Sequence, residues 1–476
     1  MKKIILISSF VCLCISFQCV AQSVKTNLHV TLIPCDSIHF SSCKGSHIAD
    51  ITQEFVLEKF SSDTLFLKLE NIYNIFHSFM YRHYYQKLTV DIISENKKQS
   101  VEPNFDGITL RIPLPTPSCT VKLNYFFSSD YTVRSRNSNA PHYVWPCEHP
   151  NQSWYFDCPD MQINKVEFNN PDDSLLYFFV NVPSYRQNGK IILDMKNTNT
   201  DDISFYLFEK PFFHKTTCIE GADTINIYLD RGDSLIPTPG AFWNNIILPG
   251  NDRVTQTLVD SSKNFISCAL KKINTIFPPL QTAMTIDIFD ADLSMSGGMA
   301  WGVSVSDKNN HHLILVDTSF WHEQSLIHEL IHLYNPVTYL TYSADDSTYY
   351  FFAESITEYL AVCFRYEDKQ ERELVFNHKI SLFTRSPNED YSIFKLTSNS
   401  WDRNNLRGSA VVVNFKTPFI IHTFALMVGE DKFHAALKEF YAKAAKGMEI
   451  NLSNFEQVLK DNGITDGQWD WFMRNL

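Results

Sequence analysis

The sequence predicts an α+β chain, β-rich in its N-terminal half and helical in its C-terminal half, and three observations carry this. From about residue 24 to 245, short alternating or β-branched apolar runs are punctuated by Asn, Ser, Pro and Asp. Beyond Gly232-Asp233-Ser234 and Pro237-Thr238-Pro239-Gly240 the apolar spacing becomes helical. With 44% hydrophobic and 20% charged residues, including 37 Phe and 21 Tyr, there is ample surface to bury, which argues against disorder.

Residues 1–21 are expected to be a signal peptide. Lys2 and Lys3 form a basic start, Ile4 to Phe17 is an apolar stretch, and Val20-Ala21 offers a small residue before a cut at Gln22. That stretch is short for a membrane span, so removal is expected rather than anchoring. The setting of Cys19, after Ser16-Phe17-Gln18, is poor for lipid attachment. The mature chain is then exported, to a periplasm or to the medium, with no transmembrane anchor.

Residues 22–240 are expected to form the β-rich domain. Its clearest strands are Leu65–Leu69, Leu88–Ile93, Thr109–Ile112, Thr120–Leu123, Leu176–Val182, Lys190–Asp194, Ser204–Phe208 and Thr224–Leu229. An antiparallel arrangement is the natural home for such a series. Residues 241–476 form the second domain. Ala283–Phe289 and Leu313–Val316 read as strands. Val254–Ile276, Ser325–Tyr334, Thr348–Phe364, Pro418–Val428, Asp431–Ala445, Asn454–Lys460 and Asp466–Asn475 read as helices.

The net charge is −12. Loss of the leader removes Lys2 and Lys3 and no acid, which makes it −14. An acidic chain without a basic tract is a poor partner for nucleic acid, because phosphate neutralisation needs clustered Lys and Arg. Of eleven cysteines, Cys12, Cys14 and Cys19 leave with the leader. Cys35/Cys43 and Cys147/Cys158 are neighbours that could pair in an oxidising compartment; no C-x-x-C remains, so structural disulfides or buried thiols are expected.

The chemistry concentrates in His328-Glu329-Leu330-Ile331-His332. On a helix, histidines four apart stand one turn above each other, a spacing that lets two imidazoles reach one tetrahedral zinc. Glu329, beside the first ligand, can take a proton from a metal-activated water. Leu326, Ile327, Leu330, Ile331 and Leu333 make the helix a buried one, and burying two histidines and a glutamate without a metal or partner would be costly. In Phe351-Phe352-Ala353-Glu354-Ser355-Ile356-Thr357-Glu358, Glu354 is the expected third ligand. Glu358, one turn on, can accept a hydrogen bond from the far nitrogen of a ligating histidine. One Zn2+ per chain is the expected cofactor.

An HExxH, a gap of 21 residues from His332 to Glu354, and an aromatic helix bearing that Glu together resemble the gluzincin metallopeptidases. The likeness is greatest to the aminopeptidase N and leukotriene hydrolase family, with some to the glycyl aminopeptidases. The family's second helix reads roughly W-x-x-E-G-x-x-x-Y. Glu354 and Tyr359 match it, Ser355 stands for the Gly and Phe351 for the Trp. Tyr334-Asn335 resembles the Trp-Asn of the glycyl aminopeptidases, and the likeness gives Asn335 a supporting place behind the ligands. Trp154 to Pro159 and Lys416 to Tyr441 resemble further landmarks, so the likeness spans most of the mature chain. It implies an N-terminal antiparallel β domain followed by a mainly helical, thermolysin-like catalytic domain acting on peptide or protein substrates.

The resemblance also marks departures. Gly297, Gly298, Met299 and Ala300 fall where the family's G-x-M-E-N edge strand lines the substrate, and Ala300 replaces the glutamate that binds a free amino terminus. With the family's Tyr-x-Lys lysine aligned on Lys416, Asn414 takes the place of the tyrosine that stabilises the oxyanion; its amide can donate there. His422 and Tyr441 read as packed core residues, and His311 and His312 as solvated residues flanking a turn. The expected function is hydrolysis of peptide bonds by zinc-activated water with Glu329 as general base, with internal cleavage or an unusual end-group specificity in place of the usual aminopeptidase one. The alternative is a binding protein that keeps the zinc and the fold but not turnover; retention of Glu329 speaks for the enzyme.

Overall fold

In the computed structural model the described residues are 24–34, 47–68, 83–106, 109–129, 132–134, 141–143, 154–169, 176–180, 182–195, 203, 205–210, 213–230, 254–279, 282–290, 303–306, 311–316, 323–337, 348, 350–383, 392–395 and 411–476. The fold is α+β, with a sheet-rich N-terminal region and a helical C-terminal region.

Eight of the described strands make the N-terminal sheet. Their order is Ser184–Gln187, Lys190–Leu193, Met161–Asn169, Val24–Pro34, His47–Leu57, Cys119–Ser129, His83–Ser94 and Lys97–Val101. Neighbours are antiparallel except Val24–Pro34 and Met161–Asn169, which run parallel. Strict alternation explains the first strand: Val24, Thr26, Leu28, Val30 and Leu32 are buried, while Lys25, Asn27, His29 and Thr31 are not. A smaller sheet of Thr64–Lys68, Thr109–Pro113 and Asn104–Asp106 adds Leu65, Leu67, Leu110 and Ile112 to the same core.

The Trp154-Tyr155-Phe156 landmark is buried in this core. Gln53, with no exposed surface, satisfies both backbone groups of Phe156: its Nε2 donates to the carbonyl at 2.7 Å and its Oε1 accepts from the N–H at 2.9 Å. Tyr125 Oη donates to the same Oε1 at 3.1 Å, and Trp154 Nε1 donates to the Ile203 carbonyl at 2.5 Å. Polar groups in a dry core are tolerated because each has a partner.

The second sheet has the order Phe213–Glu220, Asp223–Asp230, Thr285–Asp290, His311–Val316 and Val303–Ser306. It thus joins strands from both sides of the boundary expected at 240, which itself lies outside the described residues. The helices are α1 (Gln256–Ile276), α2 (Glu323–Tyr334), α3 (Ile356–Arg365), α4 (Lys369–Phe383), α5 (Thr417–Val428), α6 (Glu430–Ala444), α7 (Leu452–Asp461) and α8 (Asp466–Asn475). Wide π turns at Tyr350–Ser355 and Val412–Lys416 lead into α3 and α5. Among the described residues, no single helix is long and apolar enough to cross a membrane.

A two-stranded ribbon, Leu176–Val180 with Phe205–Glu209, joins the two cores through strand alternation. Phe178 packs on Phe168 of the N-terminal sheet at 4.9 Å between ring centroids. Its neighbours Tyr177 and Phe179 meet Phe289 of the second sheet at 5.9 and 5.4 Å, and Phe208 stacks on Phe289 at 3.8 Å.

The expectation for His311 and His312 is corrected here. They open a strand parallel to Thr285–Asp290, His312 is buried, and His311 Nε2 contacts Asp287 Oδ2. The buried Asp287 also accepts from Asn226 Nδ2 at 2.9 Å and Tyr228 Oη at 2.8 Å through Oδ1. The His-His pair reads as polar in sequence, but alternation points one ring into the core and gives the other a buried carboxylate.

Candidate metal centre

The site lies between α2 and α3. Gln324, His328 and His332 sit at positions i, i+4 and i+8 of α2, so they form one stripe. Leu326, Ile327, Leu330, Ile331 and Leu333 bury the rest of that helix in the C-terminal core. Arg365, at the end of α3, pairs with Glu323 at the start of α2 and pins the two helices together.

Glu354 enters from the π turn Tyr350–Ser355, an irregularity that shifts which side chains face α2. Ser355, with no exposed surface, donates its hydroxyl to the Val413 carbonyl at 2.9 Å and ties this turn to the second π turn. Asn335, directly after α2, fastens it: its Nδ2 donates to the Phe352 carbonyl at 2.9 Å and its Oδ1 accepts from Val337 N at 3.1 Å.

His328 Nε2 and His332 Nε2 are 3.0 Å apart, and Glu354 Oε2 lies 3.4 Å from the first and 3.5 Å from the second. Tetrahedral zinc with bonds of about 2.0–2.2 Å separates neighbouring ligand atoms by roughly 3.3–3.6 Å, which the two Glu354 edges match and the 3.0 Å histidine edge falls just below. Two neutral imidazoles and a carboxylate are also ordinary zinc donors. The three residues therefore fit the ion in spacing and in chemistry. Glu329 lies beside the two histidines, with potential ligand atoms of all three within 4.8 Å of one another. Glu354 closes a triangle of 3.0–3.5 Å edges with the two rings, so Glu329 is read as a neighbouring carboxylate beside those three ligands.

The electrostatics follow from burial against pairing. Burial would lower the pKa of His328, but its contacts with Glu354 and Glu358 outweigh this and hold it well above the usual value. Burial would raise that of Glu354, yet the His332 and His328 charges and hydrogen bonds bring it far below the carboxylate range. Glu329 shifts upward: burial raises it, Glu354 and Glu358 add to this, and the two histidines only partly offset it. Glu358 Oε2 is 2.8 Å from His328 Nδ1, the geometry that leaves Nε2 for a metal.

Asn414 lies in the π turn Val412–Lys416, and its carbonyl accepts from Lys379 Nζ at 3.4 Å. His422 is buried and stacked on Phe376 at 4.2 Å, and Tyr441 packs against Phe277 at 4.6 Å. Gly297, Gly298, Met299 and Ala300 lie outside the described residues, as do Cys35, Cys43 and Cys147; Cys158 is a buried free thiol. Two residues of the site escaped the sequence reading. Gln324, whose Nε2 donates to Glu358 Oε1 at 2.7 Å, carries a signal in its spacing from His328. Lys379 on α4 carries none.

No family model and no curated protein matches this sequence. Among solved structures the chain is similar to an aminopeptidase N family protein from Idiomarina loihiensis, with TM-score 0.54 and 12% identity over 94% of this chain and 73% of that one. An M1 zinc metallopeptidase from Deinococcus radiodurans bound to a Tyr-Ser-Ala substrate gives 0.43 and 11% over 94% and 93%. Yeast LTA4 hydrolase in complex with bestatin gives 0.45 and 12% over 92% and 64%. The likeness to the Idiomarina protein establishes a shared fold.

Proposed function

We propose that this chain is an exported zinc metallopeptidase, with one Zn2+ held by His328, His332 and Glu354 and with Glu329 as general base in peptide-bond hydrolysis. The observation that carries this reading is the triangle of His328 Nε2, His332 Nε2 and Glu354 Oε2, with edges of 3.0, 3.4 and 3.5 Å. Export rests on the leader-like residues 1–21.

When bound, zinc supplies a Lewis acid that polarises a carbonyl and makes water a nucleophile near neutral pH. The protein supplies the rest. Glu358 holds His328 through Nδ1, which leaves Nε2 as the ligating atom. The Glu329 carboxylate takes a proton from the attacking water and returns it to the departing amine nitrogen. Burial raises its pKa, the direction that strengthens a carboxylate as a base. Asn414, in the family's tyrosine position, donates its amide to the developing oxyanion. Because Ala300 offers no carboxylate to a substrate amine, internal cleavage or unusual end specificity is expected.

The test is digestion of a mixed peptide library by the purified mature chain, with products read by mass spectrometry. Cleavage abolished by a chelator and restored by zinc is the expected result. A chain that holds zinc but cuts no peptide would move the reading to a binding protein on this fold.

A further inference from the structure

The carboxylate that orients His328 is itself gripped from the far side. Glu358 Oε1 accepts from Lys379 Nζ at 2.5 Å and from Gln324 Nε2 at 2.7 Å, while its Oε2 faces His328 Nδ1. Lys379 is 8% exposed. Its ammonium also reaches the Asn414 carbonyl at 3.4 Å and lies 5.2 Å from the centre of the Phe415 ring. A lysine is seldom buried so far, because desolvating its charge costs several kcal/mol unless a partner compensates. Here the partner is the group that aims a metal ligand.

Charge balance points the same way. Glu329, Glu354 and Glu358 bring three negative charges into a buried site. A dication and one lysine cancel all three while both histidines stay neutral, as ligation requires. Without Lys379 the loaded site would keep one uncompensated buried charge.

We propose that Lys379 is a positioning residue of the metal centre: it fixes Glu358 as the carboxylate that orients His328 and tethers that unit to the π turn bearing Asn414. This rests on the zinc-site reading above. It places α4, which contributes no ligand, in control of metal affinity.

The test measures zinc affinity of the full mature chain by competition with a chromophoric chelator, with folding followed by circular dichroism. The variants are Lys379→Met, Glu358→Gln and the two combined. Each single change is expected to weaken zinc by about 10–100-fold. The double variant is expected to match Glu358→Gln to within about threefold, because Lys379 acts through Glu358. A purely structural lysine would give no such coupling. Lys379→Met strands a buried carboxylate and can fail to fold, in which case the double variant, which removes both charges, decides. Wild-type affinity in Lys379→Met, or a further tenfold loss in the double variant beyond Glu358→Gln, would overturn the proposal. A wild-type chain that binds no zinc would instead remove the zinc-site reading and this proposal with it.

Discussion

His328 Nδ1 and Glu358 Oε2 meet at 2.8 Å across the α2–α3 interface, and this contact decides which imidazole nitrogen faces Glu354. With Nδ1 engaged as a donor, Nε2 keeps its lone pair for a metal. The helix pair is thus more than a scaffold for a motif, since one helix sets the tautomer of a ligand on the other.

Glu354→Ala removes one corner of the ligand triangle. Zinc affinity should fall by more than the ~10–100-fold that follows loss of a supporting residue, while the far-UV spectrum is retained. Equilibrium dialysis against zinc checks this. Undiminished affinity would shift the third ligand elsewhere, with Glu329 the nearest candidate.

Asn414→Ala should leave zinc content unchanged and lower kcat by about 10²–10³, with KM little altered, if its amide serves the oxyanion. An unchanged kcat would assign that donor to another group.

In the N-terminal sheet a buried carboxylate is held by two lysines. Glu167 is 5% exposed and contacts Lys165 Nζ at 2.5 Å and Lys190 Nζ at 3.2 Å. Burial would raise its pKa, but the two lysines outweigh burial and bring it down to about 2. The folded value lies below the unfolded one, so this contribution is fully present above about pH 5 and is lost as pH falls toward 2. Glu167→Gln should therefore cost about 1–2 kcal/mol at pH 7, discounted for the partly exposed lysines, and almost nothing near pH 2. Urea unfolding of both proteins across that range checks it; a pH-independent difference would mean the loss is one of packing.

Much of the site is legible in the sequence because it is local. The i, i+4 spacing of His328 and His332, and that of Glu354 and Glu358, survives into the structure as two facing stripes. Gln324 extends the first stripe by another turn and could have been read from it. Lys379 could not. It lies 21 positions beyond Glu358, on a helix of sequence KQERELVFNHKISLF that shows no consistent apolar face, and α4 as a whole was absent from the expected helices. Nor was the wide turn at Tyr350–Ser355 foreseeable, since the hydrogen bond from Ser355 to Val413 that joins it to the second π turn spans 58 positions.

The fold shows the same division. Val24–Pro34, His47–Leu57 and Met161–Asn169 lie at the middle of the large sheet, yet none is among the strands that the sequence predicts. Thr26 and Gln53 explain two of them: a fully buried polar residue interrupts the apolar alternation, and for Gln53 the compensation comes from long range, in its bonds to Phe156 103 positions away.

The central claim is tested most directly by zinc content and steady-state cleavage, measured side by side on the wild-type chain and on Glu329→Gln. The account predicts one zinc per chain in both proteins and a kcat for Glu329→Gln lower by about 10²–10⁴. Cleavage by Glu329→Gln at the wild-type rate, or a wild-type chain that hydrolyses peptides with no zinc bound, would contradict it.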